Sequence, residues 1–356
     1  MSRLAVPFAA CLCLLAAGFS SWPGVVASLS SHLVAPSGSS PLLPRERIED
    51  AHARLTGRSG FVETRGGVAV FWRALDPGDY GLRYDWNATN TAGVTDTLDF
   101  ALDFSSPATT AGRPRGTVVL LHGWMMDGGS LLPWSLQLAE AGYRTIAIDL
   151  RNHGRSGTAP AGYGTREADD LVDVVARLRS DGEIVGPLHL FGVSYGAATA
   201  LFAAADPALG VDRVVALESF DNAGEAIRDM VPHMLEHEPG GWHDRLVQRW
   251  LRWRVDAAVI DAAVARAGET LHLSLDTVTV ADALARTDAC VLLVHGDADR
   301  HVPVAHGRAL AAAAPQARYL ELASENHLSL PMRLDRLGPT VVDWFGAADC
   351  PAAGSA

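Results

Sequence analysis

Short apolar runs alternate with segments of helical periodicity from Gly116 onward. The runs are continuously apolar, as in Leu188–Val193, which is typical of strands buried on both faces of a parallel sheet. Between the runs, apolar residues recur three and four positions apart, which predicts crossover helices. The predicted strands are 117–122, 144–150, 188–193, 211–217, 290–295 and 317–322, and the predicted helices are 130–141, 166–180, 195–205, 304–313 and 332–345. The pattern therefore predicts an α/β protein with helices on both faces of a mostly parallel sheet.

Two segments depart from this repeat. Residues 61–104 alternate apolar and polar positions between turn residues, which predicts antiparallel strands extending one edge of the sheet. Residues 221–289 form an insertion far longer than the usual connection between strands, and they contain helical stretches. We expect a helical lid, with Trp250, Leu251 and Trp253 in its own core rather than in a substrate groove. The predicted domains are a core in two parts, 61–220 and 290–347, with the lid at 221–289 and a tail at 348–356.

The amino-terminal region lacks Lys, Arg, Asp and Glu at positions 4–44. Arg3 precedes an apolar run at 8–19, which has the length of a signal-peptide core, and small residues at 25–27 offer a cleavage site. Residues 1–27 are therefore predicted to be a signal peptide or a membrane anchor, with a misplaced start as the remaining alternative. Residues 28–60 are a linker and amino-terminal segment, of which the Pro- and Ser-rich part, 28–44, is expected to be exposed.

Charge narrows the class of partner. The 356 residues include 29 Lys and Arg against 41 Asp and Glu, a formal charge of −12. This excess repels nucleic acid and anionic lipid headgroups. We expect a small-molecule ester or acyl substrate, no nucleic acid, and membrane association only through the amino-terminal segment. With 48% hydrophobic and 20% charged residues, the chain can bury a large core.

The strongest local motif is Gly192-Val193-Ser194-Tyr195-Gly196, which fits the pattern G-x-S-x-G. It lies between a predicted strand and a predicted helix, as a nucleophile elbow requires. The flanking glycines allow close backbone approach, and the serine occupies a strained turn at the carboxyl edge of the sheet. An ordinary strand-to-helix turn is the alternative for this pentapeptide alone.

A serine hydroxyl needs a base to become a nucleophile. Asp299 and His327 follow two later strands at the same sheet edge as Ser194, and the chain order is Ser, Asp, His. Ser194 is therefore the predicted nucleophile and His327 the general base and acid. Asp299 is predicted to fix the imidazole tautomer. The chemistry requires no metal and no organic cofactor.

With these motifs, the chain resembles the α/β-hydrolase superfamily over about residues 60–347. Besides the elbow, the motifs are Leu120-Leu121-His122-Gly123-Trp124, the turn from Asp149 to Gly157, the acid loop Gly296-x-x-Asp299-x-x-Val302-Pro303, and the turn at His327. The resemblance implies an oxyanion hole formed by the backbone N–H groups of Trp124 and Tyr195. Two positions depart from the family pattern. Asn152 takes the place of the glycine in the common sequence Arg-Gly-His. Ser324 is the first residue of a turn that more often begins with glycine.

Other residues compete for these roles. Asp297 is the main alternative acid, although the family spacing to Val302-Pro303 favours Asp299, and Glu218 is a second reserve acid. His301 is expected to be a polar loop residue. The two histidines of the sheet-edge turns, His122 and His153, are expected to make structural hydrogen bonds.

A metal site is the less favoured interpretation of the insertion. His233-x-x-Glu236-His237 formally matches an H-x-x-E-H zinc pattern, with His243 nearby. A solvated acidic helix face with ordinary histidines is the expected structure, because the Ser, His and Asp residues already supply a complete site. We therefore predict no metal ligands.

The cysteines bear on export. Loss of a signal peptide would remove Cys11 and Cys13 and leave Cys290 and Cys350 as a pair. Cys290 begins a strand, and Cys350 follows a final helix that should end at the same edge of the sheet. A Cys290–Cys350 disulfide is therefore our hypothesis, with two free thiols as the alternative.

The predicted function is a serine esterase that works through an acyl-enzyme. The same residues also serve thioesterases, peptidases or amidases, and acyltransferases, and a non-catalytic binding protein on this fold is a further alternative. The leader predicts an exported protein, secreted or periplasmic, or one anchored in a membrane.

Overall fold

The computed structural model describes residues 22–38, 45–55, 57–91, 94–106, 112–236 and 242–350. The predicted apolar signal-peptide run at 8–19 lies outside the described residues, as does the end of the predicted tail, 351–356. Among the described residues, no helix is both long enough and apolar enough to cross a membrane.

An eight-stranded sheet, in the order β1-β2-β6-β5-β7-β8-β9-β10, forms the centre of the molecule. Its strands are β1 (Arg58–Glu63), β2 (Ala69–Leu75), β5 (Thr117–Leu121), β6 (Arg144–Ile148), β7 (Leu188–Val193), β8 (Val211–Leu217), β9 (Cys290–Gly296) and β10 (Arg318–Leu322). Strands β5 to β10 pair in parallel, whereas β2 pairs antiparallel with both β1 and β6. The predicted fold class, a mostly parallel sheet with antiparallel edge strands, is confirmed.

Helices cover both faces of this sheet. The helices are α1 (Trp22–Val34), α2 (Arg45–Ala53), α3 (Leu132–Glu140), α4 (Thr165–Ser180), α5 (Tyr195–Ala204), α6 (Ala223–Glu236), α7 (Trp242–Arg254), α8 (Ala257–Leu271), α9 (Val280–Leu284), α10 (Val304–Ala313) and α11 (Leu334–Gly346). Alternate side chains of β5 enter different cores: Val119 and Leu121 pack with residues of α4 and α5, whereas Val118 and Leu120 pack with residues of α3 and α11. Both faces are apolar because both are covered.

The prediction for residues 61–104 is only partly right. Strands β1 and β2 do extend the sheet edge, but β3 (Arg83–Thr91) and β4 (Val94–Asp103) form a separate two-stranded hairpin. Alternation of apolar and polar residues indicates a strand with one covered face, and it does not specify which strand will be the pairing partner. The separate hairpin could therefore not be read from the pattern.

The prediction that residues 28–44 form an exposed linker is wrong for residues 28–34, because helix α1 continues through this segment. Val25, Val26 and Leu33 of α1 are buried, and the helix packs against α8. The Tyr163 hydroxyl donates to the Leu33 carbonyl at 2.8 Å. A cleavage after Ala27 would divide this helix and remove two of its buried valines. Export therefore remains a prediction, and α1 makes cleavage at 25–27 costly to the fold.

Helices α6 to α9 lie within the predicted insertion, residues 221–289, and we refer to this segment as the helical insertion. Leu251 is buried as expected for its core, but Trp253 is 75% exposed, so the prediction that Trp253 packs inside the insertion is wrong. The Trp253 indole faces solvent because it lies on the opposite side of α7 from Leu251.

Cys290, at the start of β9, and Cys350, after α11, form a disulfide with a Cα–Cα distance of 5.4 Å. The hypothesis of a bridge between these two cysteines is confirmed. The bond ties the last helix to the amino-terminal edge of the parallel strands.

Candidate functional site

Ser194 lies in a tight turn between β7 and α5, at the carboxyl edge of the sheet. Its φ of 52° and ψ of −112° place a non-glycine residue in a strained conformation. A Cβ on Gly196 would overlap the Leu121 carbonyl, and one on Gly192 would overlap the Gly196 carbonyl. Both glycines of the motif are therefore required by close backbone approach, as the sequence predicted.

A continuous hydrogen-bonded series joins the three predicted catalytic side chains. The Ser194 Oγ lies 3.0 Å from Nε2 of His327, and Nδ1 of His327 lies 2.7 Å from Oδ2 of Asp299. With its proton on Nδ1, the imidazole donates to Asp299 and leaves Nε2 free to accept the Ser194 proton.

Asp299 is held as a carboxylate inside the protein. Its Oδ1 accepts the backbone N–H groups of His301 at 2.8 Å and Val302 at 2.9 Å. Burial favours the neutral acid, but His327 and His295 outweigh burial and hold the pKa of Asp299 well below its usual range. The alternative acid, Asp297, instead accepts the Ser324 N–H at 2.6 Å. The structure therefore brings Asp299, and not Asp297, to His327.

A second carboxyl group, that of Glu218, lies beside the same imidazole. One of its oxygens is 3.6 Å from Nδ1 of His327, and its side chain is fully buried at the end of β8. Burial, followed by the charges of Asp299 and Glu325, raises the pKa of Glu218 well above its usual range. Of these two neighbouring carboxyl groups, that of Asp299 is thus ionised and that of Glu218 is neutral. The sequence had identified Glu218 only as a reserve acid, because its distance from His327 depends on long-range packing.

The backbone groups expected to form the oxyanion hole come from two segments beside Ser194. Tyr195 is the first residue of α5, where N–H groups have no partner within the helix. The segment carrying Trp124 also approaches the serine, since a Cβ on Gly123 would be 3.6 Å from the Ser194 Cβ. The Trp124 and Tyr195 rings are in edge contact, with centroids 5.1 Å apart. The two predicted donor residues are thus neighbours of Ser194 and of each other.

His122 and His153 make hydrogen bonds to the backbone at this edge of the sheet. His122 accepts the Leu150 N–H on Nε2 at 2.9 Å, and His153 accepts the Met125 N–H on Nε2 at 3.2 Å. Burial lowers the pKa of His122 to about 4 and that of His153 to about 3, so both are neutral acceptors. The prediction that these histidines make structural hydrogen bonds is confirmed.

Both departures from the family motif occupy left-handed backbone. Asn152 has a φ of 72° and Ser324 a φ of 65°. Glycine adopts this region without a Cβ penalty, and asparagine is among the residues that tolerate it best. The backbone geometry that glycine commonly supplies is therefore kept, at some cost in strain at Ser324.

An apolar pocket of about 370 Å³, including the part open to solvent, adjoins Ser194. Half of its lining comes from the segment that leads into α6 and from α6 itself, and none of its lining residues carries a charge. The lining consists of Trp124, Tyr163, Ser194, Tyr195, Phe220, Ala223, Ala226, Ile227, Met230 and Val302. The space beside the nucleophile is therefore suited to an uncharged apolar group.

Among the described residues, the only cluster with metal-ligand spacing is formed by Glu218, Asp299 and His327. The Asp299 and His327 atoms that would bind an ion are already hydrogen-bonded to each other at 2.7 Å. His233 and Glu236 of the zinc-like pattern lie on α6, whereas His237 lies outside the described residues. The donor set fits a proton relay better than a metal site.

Comparison with known proteins gives results that agree with this geometry. Residues 118–337, more than half of the chain, match the model of a family described as the alpha/beta hydrolase family. The chain is similar to a putative non-heme chloroperoxidase of Synechocystis, with 31% identity over 218 residues that cover 54% of this chain and 76% of that protein.

Two further similarities cover different shares of the chain. The uncharacterized protein YqkD of Bacillus subtilis is 34% identical over 101 residues, which are 28% of this chain and 33% of that protein. An esterase structure from Pyrococcus furiosus superimposes with a TM-score of 0.59 at 15% identity, covering 88% of this chain and 98% of that one. At this identity the structural likeness shows the shared fold.

Proposed function

Since the chain belongs to the alpha/beta hydrolase family, we propose that it cleaves carboxylic esters through a covalent acyl-enzyme formed on Ser194. The observation that carries the proposal is the hydrogen-bonded series from Ser194 through His327 to Asp299, with contacts of 3.0 and 2.7 Å. The first contact is within the reach that proton transfer requires, and the second is a hydrogen bond that orients the imidazole.

In the first half of the proposed reaction, Nε2 of His327 removes the Ser194 proton while Oγ attacks the ester carbonyl carbon. The carbonyl oxygen becomes an oxyanion, which the N–H groups of Trp124 and Tyr195 stabilise. Asp299 stabilises the imidazolium that forms. His327 then gives its proton to the departing alkoxide, and an alcohol leaves with the acyl group bound to Ser194.

In the second half, water replaces the alcohol. His327 removes a proton from the water as it attacks the acyl carbon, and the oxyanion forms again at the same N–H groups. Return of the proton to Ser194 Oγ breaks the acyl bond and releases the carboxylic acid. No cofactor enters either half.

The helical insertion supplies the proposed substrate selectivity. Ala223, Ala226 and Met230 of α6 line the pocket next to the nucleophile. We propose that this helix covers the acyl group as a lid. The apolar lining then favours esters of uncharged, apolar acids over those with a charged acyl group.

Hydrolysis of a panel of chromogenic esters tests the proposal. We expect a burst of alcohol release equal to the enzyme concentration, followed by slower turnover, because the good leaving group of a chromogenic ester makes acylation of Ser194 faster than deacylation by water. Ser194→Ala should remove both phases and keep the thermal unfolding profile of the wild type. Full esterase activity in Ser194→Ala would disprove the assignment.

A second activity is favoured by the Synechocystis relative, which is named a putative non-heme chloroperoxidase. The same acyl-enzyme could react with hydrogen peroxide in place of water, releasing a peroxycarboxylic acid that then oxidises a halide. Bromination of a dye in the presence of acetate, peroxide and bromide would reveal this route. It should disappear in Ser194→Ala, because the peracid forms only from the acyl-enzyme.

We further propose that the protein is exported. The predicted leader at residues 1–27, which lies mostly within the uncharged stretch 4–44, and the Cys290–Cys350 disulfide support this location, because disulfides persist in oxidising compartments. Fractionation of producing cells, with the mass of the recovered chain, tests it. A reduced, full-length chain confined to the cytoplasm would contradict it.

A further inference from the structure

Helix α7 of the helical insertion presents an unusual outer face. Arg245, Leu246, Arg249, Arg252 and Trp253 are all exposed, and their spacing puts them on one stripe of the helix. The opposite side carries the buried residues Gln248 and Leu251. The outer stripe therefore combines cationic and bulky apolar side chains that are exposed to solvent.

The apolar members of this stripe are strongly exposed. Trp253 is 75% exposed and Leu246 is 59% exposed, although each could be accommodated inside a core. The described residues contain two other large hydrophobic side chains that are exposed, namely Trp22 and Phe61. Trp22 begins helix α1, which packs against α8 of the same insertion. Three of these four exposed side chains thus belong to the helical insertion or to the helix packed against it.

The charge of α7 is opposite to that of the whole protein. The helix contains four arginines and one aspartate, whereas the chain carries a formal charge of −12. Arg249 and Arg252 have no ion-pair partner within the part of the chain that the structure describes. The chain as a whole is negatively charged, whereas α7 carries a net positive charge that an anionic surface would attract.

From this stripe we infer that α7 is a membrane-contact helix that docks the insertion on anionic phospholipid headgroups. Arginine binds phosphate with geometric specificity, and tryptophan prefers the boundary between headgroups and acyl chains. A nucleic acid would use the arginines but has no use for an exposed Leu246. The apolar segment at residues 4–21, which precedes α1, provides a second membrane signal of the kind that stable attachment needs.

The position of α7 connects this contact to the pocket. Its Gln248 side chain donates to the Leu235 carbonyl of α6 at 2.8 Å. Helix α6 lines one side of the pocket, through Ala226 and Met230. Docking through α7 would therefore hold the cover of the pocket at the lipid surface. The substrate class that this favours, esters dissolved in a bilayer, rests on the proposed function; the membrane contact itself does not.

Co-sedimentation of the full chain with phosphatidylcholine vesicles, with and without phosphatidylglycerol, tests the contact. We expect tighter binding to the anionic vesicles, and loss of this preference at high salt. The variant Arg249→Gln/Arg252→Gln should lose affinity for anionic vesicles by roughly 25-fold, from roughly fivefold per arginine near the surface. Trp253→Ser should weaken binding to both kinds of vesicle, because the indole contact does not depend on headgroup charge.

Phe61→Ser/Arg65→Gln is the matched control, since Phe61 on edge strand β1 is 52% exposed and the Arg65 side chain is 79% exposed, whereas the insertion joins β8 and β9. It should bind vesicles as the wild type does. Equal binding of the wild type and the Arg249→Gln/Arg252→Gln variant to anionic vesicles would overturn the inference, as would indifference of the wild type to phosphatidylglycerol.

A second measurement separates this inference from the proposed function. Hydrolysis of a water-soluble ester should be unchanged in the α7 variants, which also shows that they fold. Hydrolysis of an ester dissolved in anionic vesicles should fall with their binding. Vesicle binding without any Ser194-dependent hydrolysis would leave the membrane contact standing and refute the esterase. Ser194-dependent hydrolysis without selective vesicle binding would support the esterase and refute the membrane contact.

Discussion

Replacement of Asp299 by asparagine tests how the two buried carboxyl groups share His327. The change removes the negative charge 2.7 Å from Nδ1 of His327 and leaves Glu218 at 3.6 Å. Loss of a triad acid typically lowers kcat by about 10⁴-fold, because the imidazole loses its orientation and its counter-charge. Glu218 stays neutral mainly because it is buried, and next because Asp299 is charged. With that charge gone, Glu218 ionises more readily.

The size of the rescue follows from the two distances. Coulomb energy falls inversely with separation, so a carboxylate at 3.6 Å recovers about three quarters of what one at 2.7 Å supplies. Burial of Glu218 subtracts from this recovery. We therefore expect Asp299→Asn to lose about 10²- to 10³-fold in kcat, and Asp299→Asn/Glu218→Gln to show the full loss of about 10⁴-fold.

Steady-state hydrolysis of a soluble ester across pH distinguishes this account from a structural role for Glu218. In Asp299→Asn, kcat should rise with pH as Glu218 ionises, and the double variant should lack this rise. Glu218→Gln alone should cost little, because a neutral amide replaces a neutral acid. Equal kcat and equal pH profiles for Asp299→Asn and the double variant would refute the reasoning.

Three further predictions concern stability and selectivity. Reduction of the Cys290–Cys350 bond, which spans 60 residues, should lower the free energy of unfolding by about 4 kcal/mol, measured by denaturant titration with and without reductant; an unchanged midpoint would contradict it. The pKa values of about 4 for His122 and about 3 for His153 are below that of an unfolded histidine, about 6.5. Below about pH 6.5 the unfolded chain therefore binds more protons than the folded chain. The free energy of unfolding should then fall toward pH 4 by roughly 1.4 kcal/mol per pH unit for each histidine. A free energy of unfolding that stays constant over that range would contradict this prediction. Ala226→Phe should lower kcat/KM for long acyl chains and spare acetate esters in a chain-length panel, since Ala226 lines the pocket; a uniform loss would argue against an acyl site there.

The parts of the fold that could be predicted are those fixed by local sequence. A strand buried on both faces needs a continuous apolar run, and a nucleophile elbow needs glycines on either side of Ser194, so both are readable directly. Helix α1 was missed because its buried positions, Val25, Val26 and Leu33, are separated by small and polar residues that are typical of a linker. The pattern gave no sign of its partner, α8.

The parts that escaped prediction depend on contacts distant in sequence. The sequence placed Glu218 at a strand end, but only the packing of β8 beside β9 brings it to His327. Exposure of Trp253 likewise depends on which side of α7 faces the insertion. The disulfide was accessible to prediction because the direction of the last helix follows from the alternation of strand and helix.

Every step of the proposed reaction depends on Ser194 acting as a nucleophile activated by His327. The most direct measurement is the mass of the intact protein after reaction with a fluorophosphonate, followed by identification of the modified peptide. We expect one adduct per chain, on the peptide that contains Ser194, with none in Ser194→Ala and much slower labelling in His327→Ala. Labelling that persists in Ser194→Ala, or a wild-type protein that hydrolyses esters without ever being labelled, would contradict it.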